Sequence, residues 1–384
     1  MKKSARNSIY KILIFAVAIL FAFVPVNGGN EIGTQLMINA IGIDGGENIT
    51  ATIESVGKKN ESLVGTGATL KLAFNDINEK EGLYAELAHC GLIVLGKDLQ
   101  TEQALECLMT LLSDGKINAG CSVITCDTSA RDFMDKAIML EGNGGVGEYI
   151  TYVDQYVQLL IEKMITFTNK VRSHSGAAYL PIINAVEKEG ESGGGTSPNT
   201  SEGGGAQPKP DSDKKSEMIL THKSRAYGAK EIEIGETETR ALDWLNNNTG
   251  TGVASIKNFS FAGRDYGVLS VEMSKKSGSL KIIDGSRAEI SISATMHADN
   301  REKMIAALID SQSRSAELIA VLRAEFEKQI RSDAQSLIDF CKAERVDLMG
   351  LCNEMHKYRP RDVKSIEEML AVVDVSVKTD ITVY

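Results

Sequence analysis

The pattern of apolar positions predicts one long amphipathic helix within residues 316–358. Apolar side chains recur there every three or four residues with charged residues between them, as required for one apolar stripe along one helix face. A helix of about 28 residues is about 40 Å long, and its stripe must pack against another element. The stripe consists of Ile319, Leu322, Phe326, Ile330, Leu337 and Cys341.

Alternating segments on both sides of this helix predict the surface against which it packs. Apolar and polar residues alternate at 290–296 and again at 373–383, which indicates strands with one dry and one wet face. Three more such segments lie at 253–261, 268–273 and 280–283, and glycine-containing turns are predicted next to them at 250–252, 262–263 and 284–285. An antiparallel sheet is the simplest arrangement for them. We therefore predict an antiparallel-rich C-terminal sheet with the long helix across its dry face.

In the N-terminal half, short strands alternate with helices. Residues 35–44 and 49–56 are expected to be paired strands, and the apolar run between Gly91 and Gly96 is typical of a strand buried on both faces. Apolar spacing at 149–171 predicts a second long helix. The predicted class is α/β (α+β), with several domains and mixed sheets packed against long amphipathic helices. Further helices are predicted at 68–77, 99–112, 130–140 and 236–245, and strands at 117–126, 178–183 and from 218.

Residues 187–217 contain no Val, Ile, Leu, Met or aromatic residue. Such a segment cannot bury enough apolar surface to offset the entropy of ordering. It is expected to be a disordered linker between an N-terminal α/β domain at 30–186 and a C-terminal α/β domain at 218–384.

The first 28 residues have the layout of a secretory signal segment. Basic residues precede an apolar run at 12–24, and Pro25 and small residues follow it. A helix of about 13 residues spans about 20 Å, which is shorter than the ~30 Å hydrocarbon core. Export is therefore favoured over a permanent membrane span or a buried N-terminal helix. The basic residues are Lys2, Lys3, Arg6 and Lys11.

Charge and motif content argue against several function classes. The formal net charge is −10, and the acidic body without a basic block argues against binding to nucleic acid or to anionic lipid. The six cysteines form no C-x-x-C pair, so no metal site or cofactor is predicted. Residues 142–147 fit G-x-G-x-x-G, but a predicted helix precedes them where a dinucleotide site needs a strand, so we interpret them as a glycine-rich loop.

No catalytic constellation emerges from the sequence. The chain has no G-x-S-x-G or H-E-x-x-H motif. The adjacent His89 and Cys90 are the nearest approach to a nucleophile and its base, but Cys90 begins a predicted buried strand, where a thiol packs as a small apolar group. Cys121 and Cys126 lie too far apart on one predicted strand to form a disulfide.

Several separated stretches, in order along nearly the whole chain, make it resemble the Ger(x)C proteins, the C subunits of bacterial spore germinant receptors. Each stretch is short, and the resemblance rests on their combined order and spacing. In the family a lipid-bearing cysteine normally stands where this chain has Gly29, and an arginine where it has Ser113. The stretches are residues 40–44, His89 with 91–96, 111–117, 179–182, 238–245, 345–350 and 357–360.

The resemblance implies a non-enzymatic, extracytoplasmic α/β subunit on the outer face of the spore inner membrane. Because structures of this family are described as three α/β domains, it also implies a further division within the two halves. The subunit would work with the integral membrane A and B subunits of a nutrient receptor, without a cofactor. Because Gly29 removes the lipid attachment, the membrane association would depend on the partners or on an uncleaved signal segment. Candidates for the partner surface are Glu238, Arg240, Trp244 and Asp347. Internal capping and core packing are the alternative roles for these four residues.

Two other functions are weighed against the receptor subunit. An exported hydrolase would need a nucleophile, a base and an orienting acid to converge, for example around His89. An envelope binding protein outside sporulation would share the export signal and differ in its time of expression.

Overall fold

The computed structural model describes residues 35–56, 61–138, 145–157, 160–188, 215–246, 252–298 and 315–383. Within these residues the strands form two sheets, one of ten strands and one of four, and helices pack on both. The predicted class, α/β with mixed sheets and an antiparallel-rich C-terminal sheet, is confirmed. The predicted signal segment lies outside the described residues.

The elements are numbered in chain order. The strands are β1 (Gln35–Asp44), β2 (Ile49–Ser55), β3 (Ser62–Gly67), β4 (Tyr84–Glu86), β5 (Leu92–Leu95), β6 (Ser122–Thr125), β7 (Glu162–Lys163), β8 (Ala178–Lys188), β9 (Lys215–Tyr227), β10 (Ile232–Ile234), β11 (Gly252–Phe261), β12 (Arg264–Ile282), β13 (Arg287–Ala298) and β14 (Asp374–Val383). The helices are α1 (Leu70–Glu81), α2 (Thr101–Asp114), α3 (Ala130–Ala137), α4 (Gly145–Val157), α5 (Met164–Val171), α6 (Glu236–Leu245), α7 (Ser315–Glu344), α8 (Leu351–Tyr358) and α9 (Ile366–Val372).

The larger sheet has parallel strands at its centre and antiparallel strands at its flanks. Its order is β10-β9-β8-β6-β5-β1-β2-β3, with β4 beside β1 and β7 beside β6. Strands β1, β5, β6 and β8 run parallel to one another. Every residue of β5 and β6 is buried, because α1, α2 and α5 pack on one face and α3 and α4 on the other. The predicted two-sided burial of residues 91–96 is thereby explained.

The smaller sheet carries the long helix that the apolar pattern predicts. Helix α7 has 30 residues, and its stripe packs in one core with β13 and β14. The stripe begins with Leu318, which is fully buried, rather than with the predicted Ile319, which is only partly buried. Strand β14 returns to the edge of this sheet and pairs in parallel with β13, whereas the β11, β12 and β13 pairs are antiparallel.

The predicted single helix over 149–171 is wrong. The structure has α4 and α5 there, and the two-residue strand β7 lies between them and pairs with β6. Just before β7, Leu160 is buried in the core that contains α6 and the smaller sheet, and Ile161 in the core under α3 and α4. The apolar spacing therefore continued across a change of direction that periodicity alone cannot detect.

Two further differences concern strands. Segments 268–273 and 280–283 were predicted as separate strands, but residues 268–273 and 280–282 belong to the single strand β12, whose register shifts between Met273 and Lys275. That bulge interrupts the alternation of apolar residues and makes one strand look like two. Strand β3 was not predicted, because two glycines in Ser62–Gly67 weaken its strand signal.

Pairing continues across part of the predicted linker. Strand β8 ends at Lys188 and β9 begins at Lys215, and the two pair antiparallel up to those residues. Residues 187–188 and 215–217 are therefore strand residues, and 189–214 lie outside the described part of the chain. Strands β9 and β10 follow the linker in sequence yet belong to the larger sheet, so the sheet boundary comes after residue 234.

Candidate functional site at the junction of the two sheets

Asp347 holds the start of helix α8 from inside the protein. Its Oδ1 accepts hydrogen bonds from the backbone N–H groups of Gly350 at 3.0 Å and Leu351 at 2.9 Å, and its Oδ2 accepts one from Cys352 at 2.7 Å. The residue is only 1% exposed. A carboxylate at a helix N-terminus satisfies N–H groups that have no partner within the helix and opposes the positive end of the helix dipole.

An ion pair joins helices α6 and α7. The Arg240 guanidinium donates from Nε to Oδ2 of Asp333 at 2.7 Å and from Nη2 to Oδ1 at 2.8 Å. Asp333 is buried, and its hydrogen bond raises the pKa of Arg240. Ser336, one helical turn along α7, donates to Glu238 at 2.5 Å. These contacts fix the rotation of α6 on the long helix, because a two-pronged pair has one preferred geometry.

Trp244 packs between α6 and the smaller sheet. Its side chain is buried in the core cluster that contains α7 and β13, and within the described residues its Nε1 has no hydrogen-bond partner. The backbone of α6 also packs closely against β12, because a Cβ at Gly278 would lie 2.3 Å from the carbonyl oxygen of Trp244. Beside it, the buried Lys276 donates to Asp243 at 2.6 Å. This end of α6 therefore tolerates neither a larger residue at 278 nor displacement.

Asn353 connects the two sheets through the turn after helix α5. The backbone N–H of Ser175 donates to its Oδ1 at 3.1 Å, its own N–H donates to Oγ of Ser175 at 3.2 Å, and its Nδ2 donates to Oγ of Ser173 at 3.0 Å. Next to them the rings of His174 and His356 stack with centroids 3.6 Å apart. We call Ser173, His174, Ser175, Asn353 and His356 the junction clasp.

A cavity of about 300 Å³ lies beside the junction clasp. Its charged groups are already paired: Lys170 donates to Glu162 and also lies over the Tyr179 ring, 5.1 Å from the centroid. Burial raises the pKa of Tyr179, so its hydroxyl stays protonated. The cavity thus presents hydroxyl and amide groups and no unpaired charge among the described residues. Its polar lining includes Lys170, Ser175, Tyr179, Asn246, Asp347 and Asn353.

The four residues predicted for a partner surface divide into two pairs. Trp244 and Asp347 lie inside, in the packing and capping roles given above as the alternative. Glu238 and Arg240 are half-buried, and the Arg240 side chain keeps 37% of its surface exposed. Sequence analysis selected these four residues but missed the junction clasp, because its contacts join residues 178 to 182 positions apart that share no periodic signal.

The geometry around His89 does not match the nucleophile arrangement that a hydrolase requires. His89 is exposed, and its side chain makes no hydrogen bond within the described chain. Cys90 is buried, and its Sγ donates to the carbonyl oxygen of Leu92. Burial raises the pKa of Cys107, Cys126, Cys341 and Cys352 to about 12, so these thiols stay protonated at neutral pH.

Two kinds of feature are absent from the part of the chain that the structure describes. No group of three His, Cys, Asp or Glu side chains there is placed to hold a metal ion. None of the helices in that part is both long and apolar enough to cross a membrane.

Comparison with known proteins identifies the family. A family model described as spore germination B3/GerAC like, C-terminal, matches residues 232–384, and one described as spore germination protein N-terminal domain matches residues 28–185. No curated protein matches the chain. A solved structure described as the crystal structure of the GerBC protein has the same fold: it is 13% identical, with a TM-score of 0.50, over 89% of this chain and 96% of that one. Because the two family models together match most of its length, this chain belongs to the GerAC-like family of germinant receptor C subunits.

Proposed function

We propose that this chain is an extracytoplasmic, non-enzymatic subunit of a spore germinant receptor and that it couples nutrient sensing to germination by binding the integral membrane A and B subunits. The observation that carries the proposal is the pair of family matches on both sides of residues 186–231. The signal-like layout of residues 1–28 supports the assignment outside the cytoplasm.

The contacts described above suit a subunit that works by contact. The charged groups at the junction of the sheets form ion pairs with one another or accept hydrogen bonds from backbone N–H groups. Arg240 pairs with Asp333, and Asp347 accepts from the start of α8. Such pairs hold α6, α7 and α8 in fixed positions, which preserves the shape of a binding surface without offering reactive groups.

The partner surface is proposed to include the exposed side of helix α6. Glu238 and Arg240 contact α7 with part of each side chain and leave the rest accessible, and the neighbouring Glu236 side chain is 62% exposed. Trp244 and Asp347 would contribute indirectly, because they hold α6 and α8 in place from within. Partially exposed charges at a rim steer association and determine which partner fits.

Membrane association is proposed to come from the partners or from an uncleaved signal segment. The family's lipid-bearing cysteine is replaced by Gly29, so no thiol is present there for a thioether lipid. The chain should therefore leave the spore membrane when the A and B subunits are deleted, provided that its signal segment is cleaved.

Deletion of this chain in a sporulating host tests the proposed function. Spores lacking it should lose the response to the nutrient that its receptor recognises, yet still germinate with a trigger that bypasses nutrient receptors. Complementation should work with the unchanged chain and with Lys71→Gln, an exposed position on α1. It should be weaker with Glu238→Gln, which keeps an acceptor for Ser336 but removes a charge. A normal nutrient response in the deletion spores, with no other receptor expressed, would refute the proposal.

A further inference from the structure

Two cysteine thiols meet inside the larger sheet. The Sγ atoms of Cys90 and Cys121 are 3.9 Å apart, and each residue is only 2% exposed. The other four cysteines are also buried, but no sulfur–sulfur contact is found for them within the described residues. Sequence analysis considered a disulfide between Cys121 and Cys126, which lie at opposite ends of β6 and are buried in different core clusters.

The backbone around these two thiols is fixed by strand pairing. Leu92 of β5 lies opposite Ser122 of β6 in a parallel pair, and the N–H of Ser122 donates to the carbonyl oxygen of Gly91 at 3.0 Å. Cys121 is thus opposite Gly91, one residue after Cys90. The N–H of Cys90 donates to the carbonyl oxygen of Leu87 in the turn before β5, so both cysteines lie just before their strands. Their Sγ atoms, 3.9 Å apart, need to approach by only about 2 Å to reach the S–S distance of a disulfide.

We propose that Cys90 and Cys121 form a disulfide bond in the exported protein, which rests on the extracytoplasmic location proposed above. The step is a thiol–disulfide exchange with a disulfide-bearing oxidant of that compartment. One cysteine thiolate attacks a sulfur of the oxidant and breaks its S–S bond, which gives a mixed disulfide. The second thiolate then attacks the cysteine sulfur of that mixed disulfide and displaces the oxidant's thiolate. The two cysteines lose two electrons and two protons, and the oxidant becomes a dithiol.

Burial determines when this bond can form. The hydrogen bond to Cys121 and burial both raise the pKa of the Cys90 thiol, so the reactive thiolate is scarce once the sheet has closed. The N–H of Met164 donates to the carbonyl oxygen of Cys121 at 2.8 Å, so α5 packs directly against this end of β6. Oxidation should therefore be fast while the chain is unfolded after export and slow in the folded, reduced protein.

The bond would join the two central strands of the larger sheet. Cys90 and Cys121 are separated by 31 positions, and the chain between them contains β5 and helix α2. Closing a loop of that length restricts the unfolded chain and stabilises the folded one. The junction clasp, which depends on α5 lying beside this sheet, would then be attached to a cross-linked support.

Mass spectrometry of the full chain tests the proposal. The chain is denatured directly from spore membranes in urea at pH 7 with N-ethylmaleimide present, and its alkylated cysteines are mapped by peptide analysis without reduction. The expected result is a linked peptide pair containing Cys90 and Cys121, with label on Cys107, Cys126, Cys341 and Cys352. Label on Cys90 and Cys121 in most of the material would overturn the proposal.

Purified protein tests whether the Cys90–Cys121 disulfide can form, independently of the compartment in which the protein is found. Refolding from urea with oxidised glutathione should form the Cys90–Cys121 bond within minutes, whereas the folded reduced chain should react at least about tenfold more slowly. Reduction of the bonded form should lower its Tm by roughly 5–10 °C. Failure to form the bond during refolding would overturn the geometric basis.

Variants supply the control. Cys90→Ser should abolish both the bond and the effect of reductant on Tm, whereas Cys107→Ser, another buried thiol, should preserve both. A Tm that responds to reductant equally in the two variants would contradict the assignment. If the spore protein carries the bond but deletion spores respond normally to nutrients, the receptor role fails while the disulfide stands.

Discussion

Replacing Asp347 with alanine removes the carboxylate that three backbone N–H groups of the α8 start share. These groups have no partner within the helix, and at least Leu351 and Cys352 are fully buried, so water reaches them poorly. Each buried donor left without a partner costs about 1–3 kcal/mol. Because the neighbouring cavity could admit one water molecule, we take the lower part of the range and expect a loss of about 3–5 kcal/mol in the free energy of unfolding.

Asparagine at the same position refines the prediction. One side-chain oxygen would still accept from Gly350 and Leu351, but the amide NH₂ group would face the N–H of Cys352, a donor against a donor. We therefore expect Asp347→Asn to lose about half as much free energy as Asp347→Ala. The ordering of the two variants distinguishes a capping role from simple loss of side-chain volume.

Urea unfolding followed by tryptophan fluorescence measures these losses. The chain has one tryptophan, Trp244, and it lies in the same core cluster as Leu351 and Cys352. Asp339→Ala is the matched control, because Asp339 is exposed on α7 and surface changes cost less than about 0.5 kcal/mol. If Asp347→Ala unfolded at the same urea concentration as the control, the capping argument would be refuted.

Three more predictions follow from buried charges and from the junction clasp. Arg240→Leu leaves Asp333 buried without its partner and should cost about 3–5 kcal/mol in urea unfolding, whereas Arg240→Leu with Asp333→Leu should recover much of that loss. Burial raises the folded-state pKa of Glu54 above the ordinary 4.5. The protonated Glu54 side chain therefore contributes stability below that pH, and this contribution is lost as the pH rises through the folded-state pKa. Glu54→Gln should raise the Tm at pH 7 and leave it unchanged below about pH 4. Asn353→Ala removes the two side-chain hydrogen bonds of Asn353 across the junction clasp and keeps the one from its backbone N–H. It should speed hydrogen exchange at residues 173–176 by about tenfold or more, without changing exchange in β1.

Each of these expectations has a result that contradicts it. The ion-pair argument fails if the double Arg240 and Asp333 variant is no more stable than Arg240→Leu alone. A Tm gain from Glu54→Gln that is as large at pH 4 as at pH 7 would mean that its ionisation is not the cause. Equal exchange at 173–176 with and without Asn353 would show that the clasp does not hold that turn.

Regular periodicity predicted the parts of the fold in which one side of an element is buried. The stripe of α7 and the alternation of β13 and β14 repeat over many residues, so chance matches are few. The same criterion failed at 149–171, because Leu160 continues the helical spacing just before β7 turns the chain onto the sheet. Local spacing records which residues are apolar but contains no information about where the backbone changes direction.

Contacts between distant parts of the chain explain what the sequence could not supply at the site. Asn353 meets Ser175, and Arg240 meets Asp333, across 178 and 93 positions. Polar residues such as these have no repeat that distinguishes a buried partner from a solvent-exposed side chain. Cys90 and Cys121 illustrate the same limit, since their approach depends on the order of β5 and β6 in the sheet rather than on their spacing in sequence.

Affinity purification from detergent-solubilised spore membranes tests the central claim most directly. A tagged chain should retain two polytopic membrane proteins of the receptor in stable proportion, and Glu238→Gln should retain less of them than Lys71→Gln does. Recovery of the tagged chain without any membrane-spanning partner, from spores in which those partners are present and extracted, would contradict the account.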